Sequence, residues 1–182
     1  MRWRRYVDKS PLVVTALAVN PTGLYLAVVL TDSTSMPELT PESNKVFFFT
    51  VRTVDGGHHT NLFSYQLGST SEGLHYIRDK GIVYADSGKI YMAAFSRSLR
   101  NGIAGRQMVL AYNPSALNLD WALEQSSWYG YSVTVLHKNY CASCANIFVG
   151  GSEEHTKGQW VLSITRLTEA GVSPPNSVFQ IN

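Results

Sequence analysis

Cysteine is nearly absent. The chain has 182 residues and two cysteines, too few for the disulfide framework that holds many small secreted domains together. Charge is sparse as well: charged residues make up 15% of the chain and the formal net charge is +2. The concentrated basic face that nucleic acid requires is therefore missing, and no nucleic-acid partner is expected. The one dense basic run is Arg2, Arg4, Arg5 and Lys9, broken by Trp3, Tyr6 and Asp8. It reads as a solvated strand face, with a phosphate- or partner-contacting patch and targeting information as the alternatives. No apolar run approaches the roughly 18 residues of a membrane span, so none is expected. The opening "MRWRRYVDKS", the apolar "PLVVTALAV" and Ala16-Leu17-Ala18 have the outline of a signal peptide. The apolar piece is short, however, is interrupted by Thr15 and leads into a strand-turn-strand pattern, so it reads as a core strand. The compartment stays open.

Catalytic signatures are missing too. There is no Gly-x-Ser-x-Gly, Walker loop, dinucleotide fingerprint or His-Glu-x-x-His. The acidic residues are scattered, which leaves no paired carboxylates for a glycosidase-like acid and base. The expectation is a protein without catalytic residues and without a cofactor.

Helical periodicity is almost absent, and what replaces it is informative. Short runs rich in Val, Ile, Tyr, Phe and Thr alternate with turn residues. The expected strands are 12–19, 24–31, 45–53, 61–67, 81–85, 89–96, 107–113, 119–125, 131–137, 146–152 and 159–167, with "SVFQIN" read as a truncated further strand. Between them lie "NPTG", "VDGG", "DSG", "NPSA" and "TEAG", which supply the Asn, Asp, Pro and Gly of tight turns. Many short strands at this spacing indicate an all-β sandwich, barrel or propeller.

Repeats choose among these. "GLYLA" (23–27), "KIYMA" (89–93) and "NIFVG" (146–150) share one pattern, with Tyr25, Tyr91 and Phe148 as its aromatic. Each is preceded by a strand and followed, after a polar loop, by "VFFFTVRTVDGG", "QMVLAYNPSA" or "QWVLSITRLTEAG". A fourth strand then returns, most clearly in "LNLDWALEQ" with Trp121. A four-stranded unit repeated at this period has the form of a propeller blade, which buries its faces only by stacking on neighbours.

In this respect the chain resembles the bacterial β-propeller repeats (SBBP-like) of the form D-x-G-N-I-Y-V-x-G, followed by a K-Y-D-P-x-G turn and a tryptophan-bearing strand. Residues 86–121, "DSGKIYMAAFSRSLRNGIAGRQMVLAYNPSALNLDW", carry that pattern in order. The third copy has "CASCA" in place of the first turn, and the first copy has no matching tryptophan. The resemblance implies about three four-stranded antiparallel blades: 11–68, 76–127 and 131–182, with 1–10 as the last strand of a preceding blade. A closed propeller needs at least four blades. A partial propeller is therefore expected, completed by a protein partner, by self-association or by further sequence.

A few constellations are chemically suggestive. "HKNYCASC" places His137, Cys141 and Cys144 together, and a Cys-x-x-Cys pair serves as half a zinc site or as a redox dithiol. Small core or turn thiols remain the plainer reading. "DGGHHTN" offers the adjacent imidazoles of His58 and His59, read as an exposed polar turn because neighbouring strand residues point to opposite faces. Asp86, Ser87 and Gly88 read as turn chemistry, since a calcium loop needs denser acidic spacing. In "SSWYGY", Trp128, Tyr129 and Tyr131 are the candidate contact surface. The leading expectation is a non-catalytic scaffold or protein-interaction subunit of a larger assembly. A ligand- or carbohydrate-binding surface module and a metal or thiol-redox enzyme are the alternatives.

Overall fold

The computed structural model describes residues 12–32, 45–66, 74–97, 106–125, 128–135, 147–156, 159–172 and 178–181. Every regular element among them is a strand: β1 (Leu12–Val19), β2 (Tyr25–Asp32), β3 (Lys45–Arg52), β4 (Phe63–Gln66), β5 (Leu74–Tyr84), β6 (Ile90–Arg97), β7 (Arg106–Asn113), β8 (Asn118–Gln125), β9 (Trp128–Val135), β10 (Ile147–Thr156), β11 (Gln159–Leu167) and β12 (Val178–Ile181). These described strands form three four-stranded antiparallel sheets, β1-β2-β3-β4, β5-β6-β7-β8 and β9-β10-β11-β12, each connected in chain order. The chain is all-β. Residues 1–10, read from the sequence as the last strand of a preceding blade, lie outside the described residues.

Local chemistry explains the turns. Between β1 and β2 the Gly23 amide donates to the Asn20 carbonyl at 2.8 Å, and the Asn20 side-chain oxygen accepts the Tyr25 amide at 2.9 Å. Between β5 and β6 the Gly88 amide donates to the Ala85 carbonyl at 3.0 Å. Gly23 and Gly88 have φ of 73° and 81°, in the left-handed region that glycine occupies without a Cβ penalty. "DSG" is thus a turn.

β10 runs on to Thr156, past the expected 152, and two further strands depart from the sequence expectation at their starts. β5 starts at Leu74 rather than 81, pairing Leu74–Ile77 with β6 before the register breaks and resumes at Ile82. Arg78, Asp79, Lys80 and Gly81 fill the break. A charged, non-alternating run hides the first half of the strand. β9 starts at Trp128 rather than 131, so Trp128 pairs with Glu153 and Tyr129 with Ser152 in the backbone ladder.

The sheets stack in chain order. Between the first and second, Ala16, Ala27, Val29, Val46 and Phe48 meet Ile82, Tyr84, Ile90, Met92, Met108, Leu110 and Tyr112. Between the second and third, Ala85, Tyr91, Ala93, Val109 and Ala111 meet Ile147, Val149 and Leu167. Alternation along the strand accounts for both: Ile90 and Met92 face the first sheet, Tyr91 and Ala93 the third. Phe48 stacks on Phe63 at 6.0 Å and on Tyr112 at 5.4 Å, with Phe63 and Tyr112 5.1 Å apart. Each fully buried ring of this kind contributes roughly 1.5–3 kcal/mol.

The same face of each sheet looks the same way. Leu26, Met92 and Val149 are equivalent by register, pairing with Val51, Leu110 and Thr165. Met92 packs on the first sheet and Val149 on the second, while Leu26 belongs to a cluster drawn only from β2 and β3, with Val28, Leu30, Phe47, Phe49 and Val51. The centre of that outer face is buried, and its β1 margin is open, with Leu17 51% and Val19 55% exposed.

The second and third sheets are latched by a tryptophan. Trp121 of β8 donates its indole N–H to the Glu169 carbonyl at 2.8 Å and lies 6.1 Å from the Tyr91 ring. Beneath it is Gly171, with φ of 76°, where an added Cβ would sit 2.7 Å from Trp121 Cδ2. Gly88 has similar φ and nothing within 4 Å. Gly171→Ala should therefore lose about 2–4 kcal/mol in urea unfolding, against about 1 kcal/mol for Gly88→Ala, because only the first adds overpacking to backbone strain. Equal losses would show that the indole contact is unimportant.

Tyr91 gives a pH prediction. Burial, reinforced by the Glu169 carboxylate, pushes its phenol up to about 12, from 10.0 in an unfolded chain. Below 10 both states hold the proton and stability is complete. Between the two values only the unfolded state has released it, so stability falls as pH rises through this window. Denaturation midpoints should drop over that range, and Tyr91→Phe should flatten the drop.

Candidate functional site

The segment from Arg52 to Leu62, between β3 and β4, is built from short polar contacts. Arg52 holds Asp55 through Nε–Oδ1 at 3.1 Å and Nη2–Oδ2 at 2.6 Å. The Gly57 amide donates to Asp55 Oδ1 at 2.8 Å. That backbone bond, with the guanidinium, holds the carboxyl below the usual range. Both side chains are about half exposed, so the pair shapes the turn more than it stabilises the fold.

Beyond it the two imidazoles part. His58 bridges to Val51 in the backbone, and its ring is 5.5 Å from Phe49. His59 donates its amide to the Thr50 carbonyl at 2.8 Å and stacks its ring on Tyr25 at 4.0 Å, with 24° between planes. Phe49 belongs to the outer face of the first sheet and Tyr25 packs against the core facing the second. The imidazoles therefore lie on opposite sides and share no ligand. Thr60 follows, its hydroxyl oxygen accepting the Thr50 amide at 2.9 Å and lying 3.1 Å from the Thr50 hydroxyl.

The facing wall comes from the second sheet. Between β7 and β8, Asn113 Oδ1 accepts the amides of Ser115 at 3.1 Å and Ala116 at 3.3 Å, which folds Pro114–Leu117 into a compact turn. Leu117 closes it with φ of 53°. The corresponding turns of the other sheets carry glycine in that region, Gly56 at 69° and Gly171 at 76°. Leucine there costs roughly 1–2 kcal/mol.

Together His59, Thr60, Asn61, Pro114, Ser115 and Leu117 enclose an open cleft of about 280 Å³ on the rim between the two sheets. Behind it is a tyrosine cluster. Tyr112 is fully buried, and its hydroxyl approaches the Thr60 side chain without closing a hydrogen bond. Burial raises the phenol of Tyr112, and Tyr84 adds to the effect. Tyr84 is raised in the same way by burial and by Tyr25. These phenols lie behind the lining residues and do not themselves face the cleft.

The aromatic contact residues singled out from the sequence lie in another sheet. Trp128, Tyr129 and Tyr131 are positions of β9, in the third sheet. His137, Cys141 and Cys144 lie outside the described residues. Among the described residues no group of three or more His, Cys, Asp or Glu is placed to hold a metal ion, and no helix is long and apolar enough to cross a membrane. Of the cleft, the sequence marked His59 for its chemistry, within the stretch "DGGHHTN" that also spans Thr60 and Asn61, and Pro114 and Ser115 only as part of the "NPSA" turn. Leu117 carried one faint signal, a leucine where the turn favours glycine.

No family model and no curated protein sequence matches the chain. Among solved structures it is similar to a variant of the Synechocystis apocarotenoid oxygenase, a propeller enzyme, with a TM-score of 0.51 and 10% identity. The superposition covers 93% of this chain and 38% of that one, so the chain spans well under half the length of the protein it resembles. At this identity the likeness concerns the fold alone.

Proposed function

We propose that the chain is an arc of a β-propeller that acts as a non-catalytic scaffold within a larger assembly, its third sheet receiving a further sheet from a protein partner or a second copy. The observation that carries this is the repeated direction of the sheets. Tyr25, Tyr91 and Phe148 are equivalent by register, pairing with Arg52, Ala111 and Arg166. Tyr25 packs toward the second sheet and Tyr91 toward the third. Phe148 alternates away from Ile147 and Val149, which face the second sheet, and so lies on the far side with Leu162 and Ile164. Leu162 is 54% exposed there.

Further support comes from the first strands. β1 packs beside β5, and β5 beside β9, as the inner strands of blades do around an axis. The likeness to a propeller enzyme over a minority of its length fits an arc. The reading assigns no chemical step to the chain. The oxygenase activity belongs to the neighbour and is not carried over at this identity, and Cys141 and Cys144 lie outside the described residues.

The isolated chain should self-associate in light scattering coupled to size exclusion, or, where monomeric, bind an apolar dye at the third sheet. Leu162→Asp should abolish either behaviour without changing the far-ultraviolet β spectrum. A stable monomer that binds no dye, with or without the substitution, would sink the proposal.

A further inference from the structure

We infer that the cleft between the β3–β4 segment and the β7–β8 turn is a binding site for a small neutral polyhydroxylated ligand, a single pyranose ring. It belongs to the first two sheets and stands or falls independently of what the third sheet docks.

The lining chemistry selects the ligand. His59, Thr60, Asn61 and Ser115 offer donors and acceptors, while Pro114 and Leu117 form an apolar edge. A pyranose has this division, with hydroxyls around its rim and C–H groups on its face. No lining side chain carries a permanent charge, and Arg52 and Asp55 on the same segment neutralise each other. An anionic ligand would be desolvated without a fixed counter-charge. The volume, about 280 Å³, sits at the lower edge of small-molecule sites, roughly 300 Å³, and suits one ring rather than a chain.

Two further observations mark the cleft as more than a gap. Leu117 holds a left-handed conformation where the equivalent turns of the other sheets use glycine, and its side chain lines the cavity. Backbone strain that glycine would relieve is retained at the place where the side chain faces the cleft. His59 is also fixed by stacking on Tyr25 and by its amide bond to Thr50, which orients the imidazole before any ligand arrives. Preorganisation of this kind lowers the entropy lost on binding.

The test is an amide chemical-shift titration of the intact chain with glucose, galactose, mannose and N-acetylglucosamine, with inorganic phosphate as the charged comparator. At least one of the neutral compounds should bind saturably with Kd on the order of 1 mM, as expected for a ligand of about a dozen heavy atoms. The shifts should be confined to residues 59–61 and 115–117. Asn61→Ala should weaken binding about tenfold, the loss of one well-placed hydrogen bond. Leu117→Gly should weaken binding while leaving the melting temperature unchanged or raised, a combination that a purely structural leucine would not give. No saturable shift up to about 50 mM, a set of shifts away from the cleft, or saturable binding of phosphate in place of the neutral compounds would each overturn the assignment.

Discussion

A four-stranded meander whose strands are apolar on both faces cannot hide them alone, and the rest of the structure follows from that constraint. Phe48 and Tyr112 bury themselves only because the first sheet lies on the second, and Tyr91 only because the second lies on the third. The packing is not cost-free. The hydroxyls of Tyr91, Tyr112, Ser163 and Thr165 are buried without a hydrogen-bond partner, each a penalty of roughly 1–3 kcal/mol. Burial of the surrounding side chains exceeds it. The β1–β2 and β5–β6 glycine turns and the Trp121 latch then fix where the strands begin and how two sheets sit against each other.

The rim cleft is a by-product of the same stacking that has acquired its own chemistry. Where two stacked sheets end at a common rim, their strand connections face one another. In the first sheet that connection is long and polar, with His59, Thr60 and Asn61; in the second it is the short Asn113-capped turn ending in Leu117. The contact of β1 with β5 joins the same two sheets. Function on such a fold is a matter of which side chains occupy the connections, since the strands are committed to packing.

Much of the architecture was legible from the sequence because it rests on local rules. Period-two alternation placed Ile90 and Met92 on one face and Tyr91 on the other, and Asn, Asp and Gly marked the turns. The first half of β5 was not legible, because Arg78 to Gly81 break the alternation while the backbone stays in a strand. Nor was the start of β9, where Trp128 and Tyr129 look like a surface cluster in sequence but occupy ladder positions. The cleft was out of reach for a different reason. Asn61 and Ser115 are far apart in the chain, and only the register of two separate sheets brings them to one rim. The contact of Trp121 with Gly171 was hidden in the same way.

The common direction of the sheets has a consequence for symmetry. A face of the Tyr25 kind always meets a face of the Leu26 kind, never its own copy. A second molecule added to the third sheet in the same sense would thus present a different surface from the one it covers, so the contact is head-to-tail rather than isologous. Associations of that polarity either return on themselves as a ring or run on as a filament. The angle between successive sheets is what separates a closed ring from an endless fibre, and one register position on the face they stack through is small in all three, as Ala27, Ala93 and Gly150.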